Sequence, residues 1–206
     1  PIGLTINGQG GVDTINLTGS GVPIPKLLTL NSGAGNFTLN GLPSTGDPLS
    51  GKTLDLGTST LYVSYSGSSP EQLIRQDLRN GLVGQTSDRI ISSAATLDYT
   101  IGYADSADAN SPNTHTGTVE LKYAVYGDAN LDGTVNLADF LAVSRNFGQT
   151  NSTWLAGDFN YDGATNLTDL LIVVRHFGKT APPPPPAAAL SFASNPTSGP
   201  LTARRR

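Results

Sequence analysis

Two stretches of the sequence place oxygen-bearing side chains at the same offsets: GDANLDGTVNLADF at 127–140 and GDFNYDGATNLTDL at 157–170. Counted from the first aspartate, Asp or Asn stands at positions 1, 3, 5, 9 and 12, with glycine at position 6. Ca²⁺ takes six to eight oxygen ligands, and these are the offsets of an EF-hand calcium loop, whose position 7 contributes a main-chain carbonyl. The predicted ligands of two Ca²⁺ ions are Asp128, Asn130, Asp132, Thr134, Asn136 and Asp139, and Asp158, Asn160, Asp162, Ala164, Asn166 and Asp169.

Each loop runs directly into an apolar pattern with helical spacing. Apolar residues recur at steps of three and four, and both runs close with Phe-Gly, which is a helix-stop signal. No comparable helix precedes either loop, so the repeating unit is one loop and one helix, which is half of an EF-hand. The positions concerned are Leu137, Phe140, Leu141, Ser144 and Phe147, and Leu167, Leu170, Leu171, Val174 and Phe177.

A turn without metal is the alternative, because Asp and Asn are common turn formers. One copy could be such a turn, but two complete copies in register, each followed by the same helical pattern, favour calcium. Asp105 and Asp108 could supply another calcium site, but no ligand set is completed nearby and a surface loop is the better interpretation. His115 and His176 have no partner at metal-site or triad spacing, so ordinary polar roles are expected.

The duplicated loop-helix unit, from about Tyr126 to Gly178, resembles a dockerin. The resemblance implies a pair of Ca²⁺ ions, two antiparallel helices, and docking onto a cohesin partner in secreted assemblies. Dockerins that bind cellulosomal cohesins often have Ser-Thr at positions 10 and 11 of each loop. This chain has Leu137-Ala138 and Leu167-Thr168 there.

Residues 1–126 are predicted to form a mostly β unit with one helix. Short alternating segments bounded by Gly, Asn and Ser predict strands joined by tight turns, in a sandwich or a short solenoid-like arrangement. The segment SSPEQLIRQDLRNG predicts the helix, with Ser69 as N-cap, Pro70 at the first helical position and Gly81 as terminator. The fold class is therefore a mostly β unit followed by a small α pair of calcium loop-helix repeats.

Composition excludes several functions. The net charge of -4 argues against nucleic-acid binding, and the absence of cysteine excludes disulfides and thiolate metal sites. No apolar run reaches the roughly 20 residues that would span a membrane. The chain also lacks Gly-x-Ser-x-Gly, a phosphate loop of the Gly-Lys-Ser/Thr type, and His-Glu-x-x-His. We therefore expect no enzymatic activity.

The end of the chain, residues 180–206, contains five consecutive prolines that favour an extended polyproline II spacer. Its segment AAALSFAS could add a strand to the β unit of a neighbouring copy, in a head-to-tail contact that builds a fibre. Arg204–Arg206 form the only basic run. The predicted organisation is thus a β-rich domain (1–126), a calcium-binding domain (127–179), and a Pro-rich linker and tail (180–206).

These features, and a general likeness of the upstream region to large extracellular bacterial proteins, predict a secreted, calcium-stabilised structural protein. In the main interpretation the chain is a subunit of an extracellular filament or surface layer, whose partners are other copies of itself. In the alternative it is an anchoring module, a fragment of a carbohydrate-active enzyme or adhesin, that docks to a cohesin-like protein. A polysaccharide is a further candidate partner.

Overall fold

A computed structural model describes residues 3–7, 11–16, 27–31, 35–40, 52–85 and 88–181. The five prolines, the proposed added strand and the terminal arginines all lie outside these described residues. Among the described helices, none is both long and apolar enough to cross a bilayer.

The upstream unit consists of strands that alternate between two sheets. One sheet has the order β1-β3-β5-β7 and the other has the order β2-β4-β6-β9-β8. The bounds are β1 Gly3–Asn7, β2 Gly11–Asn16, β3 Leu27–Asn31, β4 Gly35–Asn40, β5 Thr53–Asp55, β6 Thr60–Ser64, β7 Arg89–Ile91, β8 Tyr99–Asp105 and β9 Thr118–Val125.

The strands from β1 to β7 pair in parallel with one another within each sheet, and the first pairs of the two sheets have the same residue offset. Gly3 lies opposite Leu27 in one sheet, and Gly11 lies opposite Gly35 in the other, at the same sequence offset. Among the described strands, antiparallel pairing occurs where β9 pairs with β6 on one side and with β8 on the other. Parallel strands thus alternate between the two sheets. The sandwich prediction is not confirmed, and the solenoid-like arrangement stays a prediction.

The predicted helix is present as α1, Glu71–Leu82. Ser69 Oγ accepts a hydrogen bond of 3.1 Å from the Glu71 N–H, so Ser69 satisfies one free donor of the first turn. The prediction that Gly81 terminates the helix is wrong, because Gly81 lies inside α1. A Cβ at this position would stand 2.1 Å from the main-chain oxygen of Ile90, so glycine is required for α1 to pack against β7.

The downstream module contains the two predicted helices, α2 (Leu137–Asn146) and α3 (Leu167–His176), and a short 3₁₀ helix (Trp154–Ala156). Its halves interlock. Val143 of α2 contacts the glycine before the second loop, and Val173 of α3 contacts the glycine before the first. Each helix is followed by a short segment that pairs with a loop. The two β-bridges that result are Thr134 with Thr180 and Thr150 with Ala164.

One buried apolar cluster includes side chains from both the upstream unit and the downstream module. Leu131, Trp154 and Tyr161 of the module belong to the same cluster as Ile101 and Tyr103 of β8. The described residues form two sheets and three α-helices, and all the strands lie in the upstream unit, so "mostly β" applies only there. The three-domain division stays a prediction.

Candidate functional site

The first aspartate of each loop is buried and accepts hydrogen bonds from its own loop. Asp128 is 1% exposed, and its carboxylate accepts from the N–H groups of Asp132 (3.1 Å) and Gly133 (2.8 Å). Asp158 is fully buried and accepts from Gly163 N–H at 2.9 Å through Oδ2. These bonds wrap each loop around its first carboxylate.

The last aspartate of each loop joins the loop to the following helix. Asp139 accepts from Ala129 N–H through Oδ1 (2.8 Å) and from Asn136 N–H through Oδ2 (2.8 Å). Asp169 accepts from Phe159 N–H and Asn166 N–H in the same way, each at 3.0 Å. Since these N–H groups belong to the beginning and the end of the loop, one carboxylate closes it.

The intermediate polar residues repeat the same contacts in both loops. Asn130 Nδ2 donates to Asp132 Oδ2 at 2.9 Å, and Asn160 donates to Asp162 at the same distance. At position 9 an asparagine caps each helix, because its side-chain oxygen accepts from the N–H two residues on. The asparagines are Asn136 and Asn166, and the aspartate three residues later completes a capping box in each helix.

Backbone conformation explains the glycine at position 6. Gly133 and Gly163 have φ of 89° and 86°, in the left-handed region that glycine adopts without a steric penalty. Leu131 and Tyr161, at position 4, also have positive φ, of 56° and 59°. The side chains of these two residues are buried against the upstream unit.

Burial raises the pKa of the loop carboxyls. It raises the pKa of Asp128 to about 6 and that of Asp158 to about 7. Burial also raises the pKa of Asp139 and Asp169, although main-chain N–H groups oppose it. Each loop thus holds two buried acids whose charges are poorly solvated, and a bound cation would relieve this.

The loop residues fit a calcium ion by the chemistry of their donors. Asp158 Oδ1 is buried and has no hydrogen-bond partner among the described residues. Among the described residues, no three or more Asp, Glu or His side chains lie close enough together to hold a metal ion by themselves. Each loop has only three acids, so Asn side chains and a main-chain carbonyl must complete the set. The twelve ligands stay a prediction.

Several apolar side chains of the predicted helical pattern are exposed. The buried positions are Val143 and Val173, while Phe140 and Leu170 are partly buried. Leu137 and Leu141 stand four residues apart in α2, as Leu167 and Leu171 do in α3, which places each pair on one side of its helix. Val174 lies one turn further along α3, and Phe147 and Phe177 are the C-cap residues. We call these residues the helix face: Leu137, Leu141, Phe147, Leu167, Leu171, Val174 and Phe177.

His176 connects α3 to the upstream unit. Its Nε2 lies 3.1 Å from the main-chain oxygen of Leu97 and 3.4 Å from Asp98 Oδ1, and Asp98 also pairs with Lys179. No local spacing in the sequence indicates this acid partner, because Asp98 lies 78 residues before His176. His115 packs its ring against Tyr62, with centroids 4.0 Å apart.

Asp105 lies at the end of β8 and is buried. It accepts hydrogen bonds from Tyr65 (2.7 Å), Ala107 N–H (2.8 Å) and Ser69. Asp108 Oδ2 is a buried oxygen without a hydrogen-bond partner among the described residues. The contacts of Asp105 hold the loop to the β unit.

Comparison with known proteins identifies the downstream module. Residues 126–178 match the dockerin type I domain family. A type II cohesin-dockerin domain structure from Bacteroides cellolosolvens shares 38% identity over 27% of this chain and 87% of that chain, with a TM-score of 0.24. The structure of a type II cohesin–X–dockerin complex from Acetivibrio cellulolyticus, an interface mutant, shares 20% identity over 41% of this chain and 83% of that chain. Its TM-score is also 0.24. The search of curated proteins finds no match.

Proposed function

Residues 126–178 belong to the dockerin type I family, and on this basis we propose that the chain is anchored to a cohesin-like protein through this module. A dockerin domain is a non-catalytic docking module that is often attached to enzymes. The relatives of known structure are cohesin-dockerin complexes, which supports a cohesin-like partner.

The exposed helix face is the observation that carries this proposal. Leu137 and Leu167 are 61% and 58% exposed, and Phe147 and Phe177 are 53% and 56% exposed. Monomeric proteins rarely expose large contiguous apolar patches, which usually mark interaction sites. A partner with an apolar surface would cover these residues.

Calcium has a supporting role in this function. Dockerin domains bind calcium in EF-hand-like loops. We assign one ion to each loop, held by the twelve residues whose types and offsets match the calcium loop. The ion supplies positive charge among the buried acids, while the loop residues fix the start of each helix and so the placement of its exposed side chains.

The apolar character of the helix face also indicates which kind of cohesin surface it would contact. Leu137 and Leu167 begin α2 and α3, at the positions where dockerins of the cellulosomal type often have a serine. Leucine makes no hydrogen bond and favours an apolar counter-surface. We therefore expect a partner that is more apolar at these contacts than a surface that recognises Ser-Thr pairs.

The predicted location of the chain and its predicted partners receive different support. Dockerin modules occur in secreted assemblies, so we place the chain outside the cell. None of the described residues supports the filament interpretation or a polysaccharide partner, and the segment proposed for strand addition lies outside them. The anchoring alternative is the better interpretation.

A binding experiment tests the proposal. Purified chain is passed over immobilised cohesin modules of types I and II, in millimolar calcium and in excess chelator. We expect binding to one type, only with calcium. The double variant Leu137→Ser/Leu167→Ser should weaken binding at least tenfold, since fully burying a leucine side chain contributes about 1.5–3 kcal/mol and about 1.4 kcal/mol corresponds to a factor of ten.

Leu97→Ser is the matched control, because Leu97 is 92% exposed but lies outside the dockerin module. It should bind like the wild type. Absence of binding to both cohesin types, or equal binding by the double variant, would contradict the proposed partner or the proposed face.

A further inference from the structure

We infer that the upstream unit takes part in calcium binding, because both loops dock on strand β8 and their ion affinity is linked to this contact. The inference rests on the proposed assignment of calcium to the two loops. It concerns residues that are not ligands, and it arises from contacts that join the two parts of the chain.

The residue at position 4 of each loop enters the shared core. Leu131 and Tyr161 are both 4% exposed. Tyr161 donates a hydrogen bond of 2.6 Å to the main-chain oxygen of Ile101, and its hydroxyl lies 3.1 Å from Thr100 Oγ1. The second loop is therefore bonded to β8 through a residue between two predicted ligands.

Gly102, in the middle of β8, provides the space for this docking. A Cβ at Gly102 would lie 2.4 Å from Leu131 Cδ2 and 3.0 Å from Trp154 Cε2. Any side chain there would collide with the module. The close approach of β8 to the first loop thus depends on a glycine that precedes the dockerin module.

Basic side chains of the upstream unit hold main-chain oxygens of the module. Lys122 Nζ donates to the Leu131 oxygen at 2.7 Å, and Arg79 Nη1 donates to the Asn160 oxygen at 2.9 Å. Arg75 Nη1 donates to the Ser152 oxygen at 2.6 Å. Both loops are therefore bonded to the upstream unit by a side chain that itself binds no calcium.

These contacts restrict the loops before an ion arrives. A binding site held near its bound conformation loses less conformational entropy on binding, which increases affinity. Linkage is reciprocal, so calcium must strengthen the contact between the units by the same factor. The dockerin module detached from residues 1–125 would then bind calcium more weakly than the whole chain does.

Calorimetric titration of calcium into the purified chain tests this inference. In the variant Gly102→Val, valine suits a β-strand but displaces Leu131 and Trp154, so affinity should fall at both loops. Tyr161→Phe removes only the hydroxyl, and with it the contacts to Ile101 and Thr100 of β8. Affinity at the second loop should fall, by up to about fivefold for each hydrogen bond lost.

Tyr123→Phe is the matched control, because Tyr123 donates to the main-chain oxygen of Ala94 within the upstream unit, at 2.8 Å. Its calcium affinity should equal that of the wild type. Circular dichroism shows whether Gly102→Val folds, and Tyr161→Phe decides the question if it does not.

The possible outcomes distinguish a failure of this inference from a failure of the proposed calcium sites. A wild-type chain that binds no calcium would refute the assignment of ions to the loops, and the inference with it. A wild-type chain that binds calcium, with Tyr161→Phe and a folded Gly102→Val equal to it, would overturn the inference alone.

Discussion

Trp154 Nε1 donates a hydrogen bond of 2.7 Å to the main-chain oxygen of Asp128. Trp154 lies between the two loop-helix repeats, and Asp128 is the first predicted ligand of the first loop. Trp154 is fully buried, and it is the only tryptophan in the chain. Its fluorescence therefore reports on the contact between the repeats and on the core shared with β8.

Removing calcium should destabilise the dockerin module. At free calcium a hundredfold above the dissociation constant, each site adds about 2.7 kcal/mol to the free energy of unfolding. In excess chelator the emission of Trp154 should shift to longer wavelength at a lower temperature than in millimolar calcium. A melting curve recorded by fluorescence checks this, and identical curves in both buffers would contradict the calcium assignment.

Replacing one aspartate in each loop should remove ions one at a time. Asp132 and Asp162 are exposed, so Asp132→Ala and Asp162→Ala should fold. Each variant loses a predicted ligand, and each should bind one ion where the wild type binds two, as measured by calorimetry. Asp88→Ala, outside both loops, is the control. A single variant that abolishes all binding would show that the loops do not act as separate sites.

Glu71 should make stability depend on pH. Burial, followed by Asp108 and Asp105, raises the pKa of Glu71 to about 7, while Arg75 opposes the shift. The folded state holds this proton more tightly than the unfolded state, so stability falls as pH rises from about 4.5 to 7. Glu71→Gln should remove this loss and be more stable than the wild type by about 1 kcal/mol near pH 8, after allowance for partial exposure.

Urea unfolding of both proteins in saturating calcium measures this difference, because bound calcium keeps the loop acids ionised across the pH range. Near pH 5 the two free energies of unfolding should converge. If the difference between them did not change with pH, the assigned role of Glu71 would be wrong.

Two glycines with similar backbone conformations should respond differently to alanine. Gly148 and Gly157 have φ of +84° and +97°, but a Cβ meets nothing within 4 Å at Gly148 and lies 2.7 Å from Val143 Cγ2 at Gly157. Gly148→Ala should cost only the backbone strain, about 1–2 kcal/mol. Gly157→Ala should cost a further ~1–3 kcal/mol from overpacking against α2.

The double variant Gly157→Ala/Val143→Ala tests the contact with the valine side chain, because it removes Val143 Cγ2 and leaves Val143 Cα at 3.1 Å and Thr165 Cγ2 at 3.3 Å from the new Cβ. Relative to Val143→Ala alone, its added cost in a urea unfolding experiment should approach that of Gly148→Ala. If the cost stayed at the full value for Gly157→Ala, the loss would not come from contact with Val143.

Features contained in one short segment could be predicted from the sequence. The two helices and the position-6 glycines are local consequences of residue type and spacing, whereas the sequence pattern indicated Asn136 and Asn166 only as ligands and the structure shows that they also cap the helices. It was less successful where a residue's environment lay elsewhere in the chain. The local pattern indicates that Gly81 ends α1, whereas this glycine serves the packing of α1 on β7. The order of strands in the two sheets depends on the pairing of distant segments.

By itself, the sequence determined the dockerin module and the chemistry of its loops, because a calcium loop is specified within 12 consecutive residues. Only the tertiary structure decided which apolar residues of α2 and α3 are exposed. It also decided that Leu131 and Tyr161 dock on β8 across Gly102. The physical reason is that burial and close approach depend on which distant segments meet, whereas ligand type and turn geometry depend on neighbours along the chain.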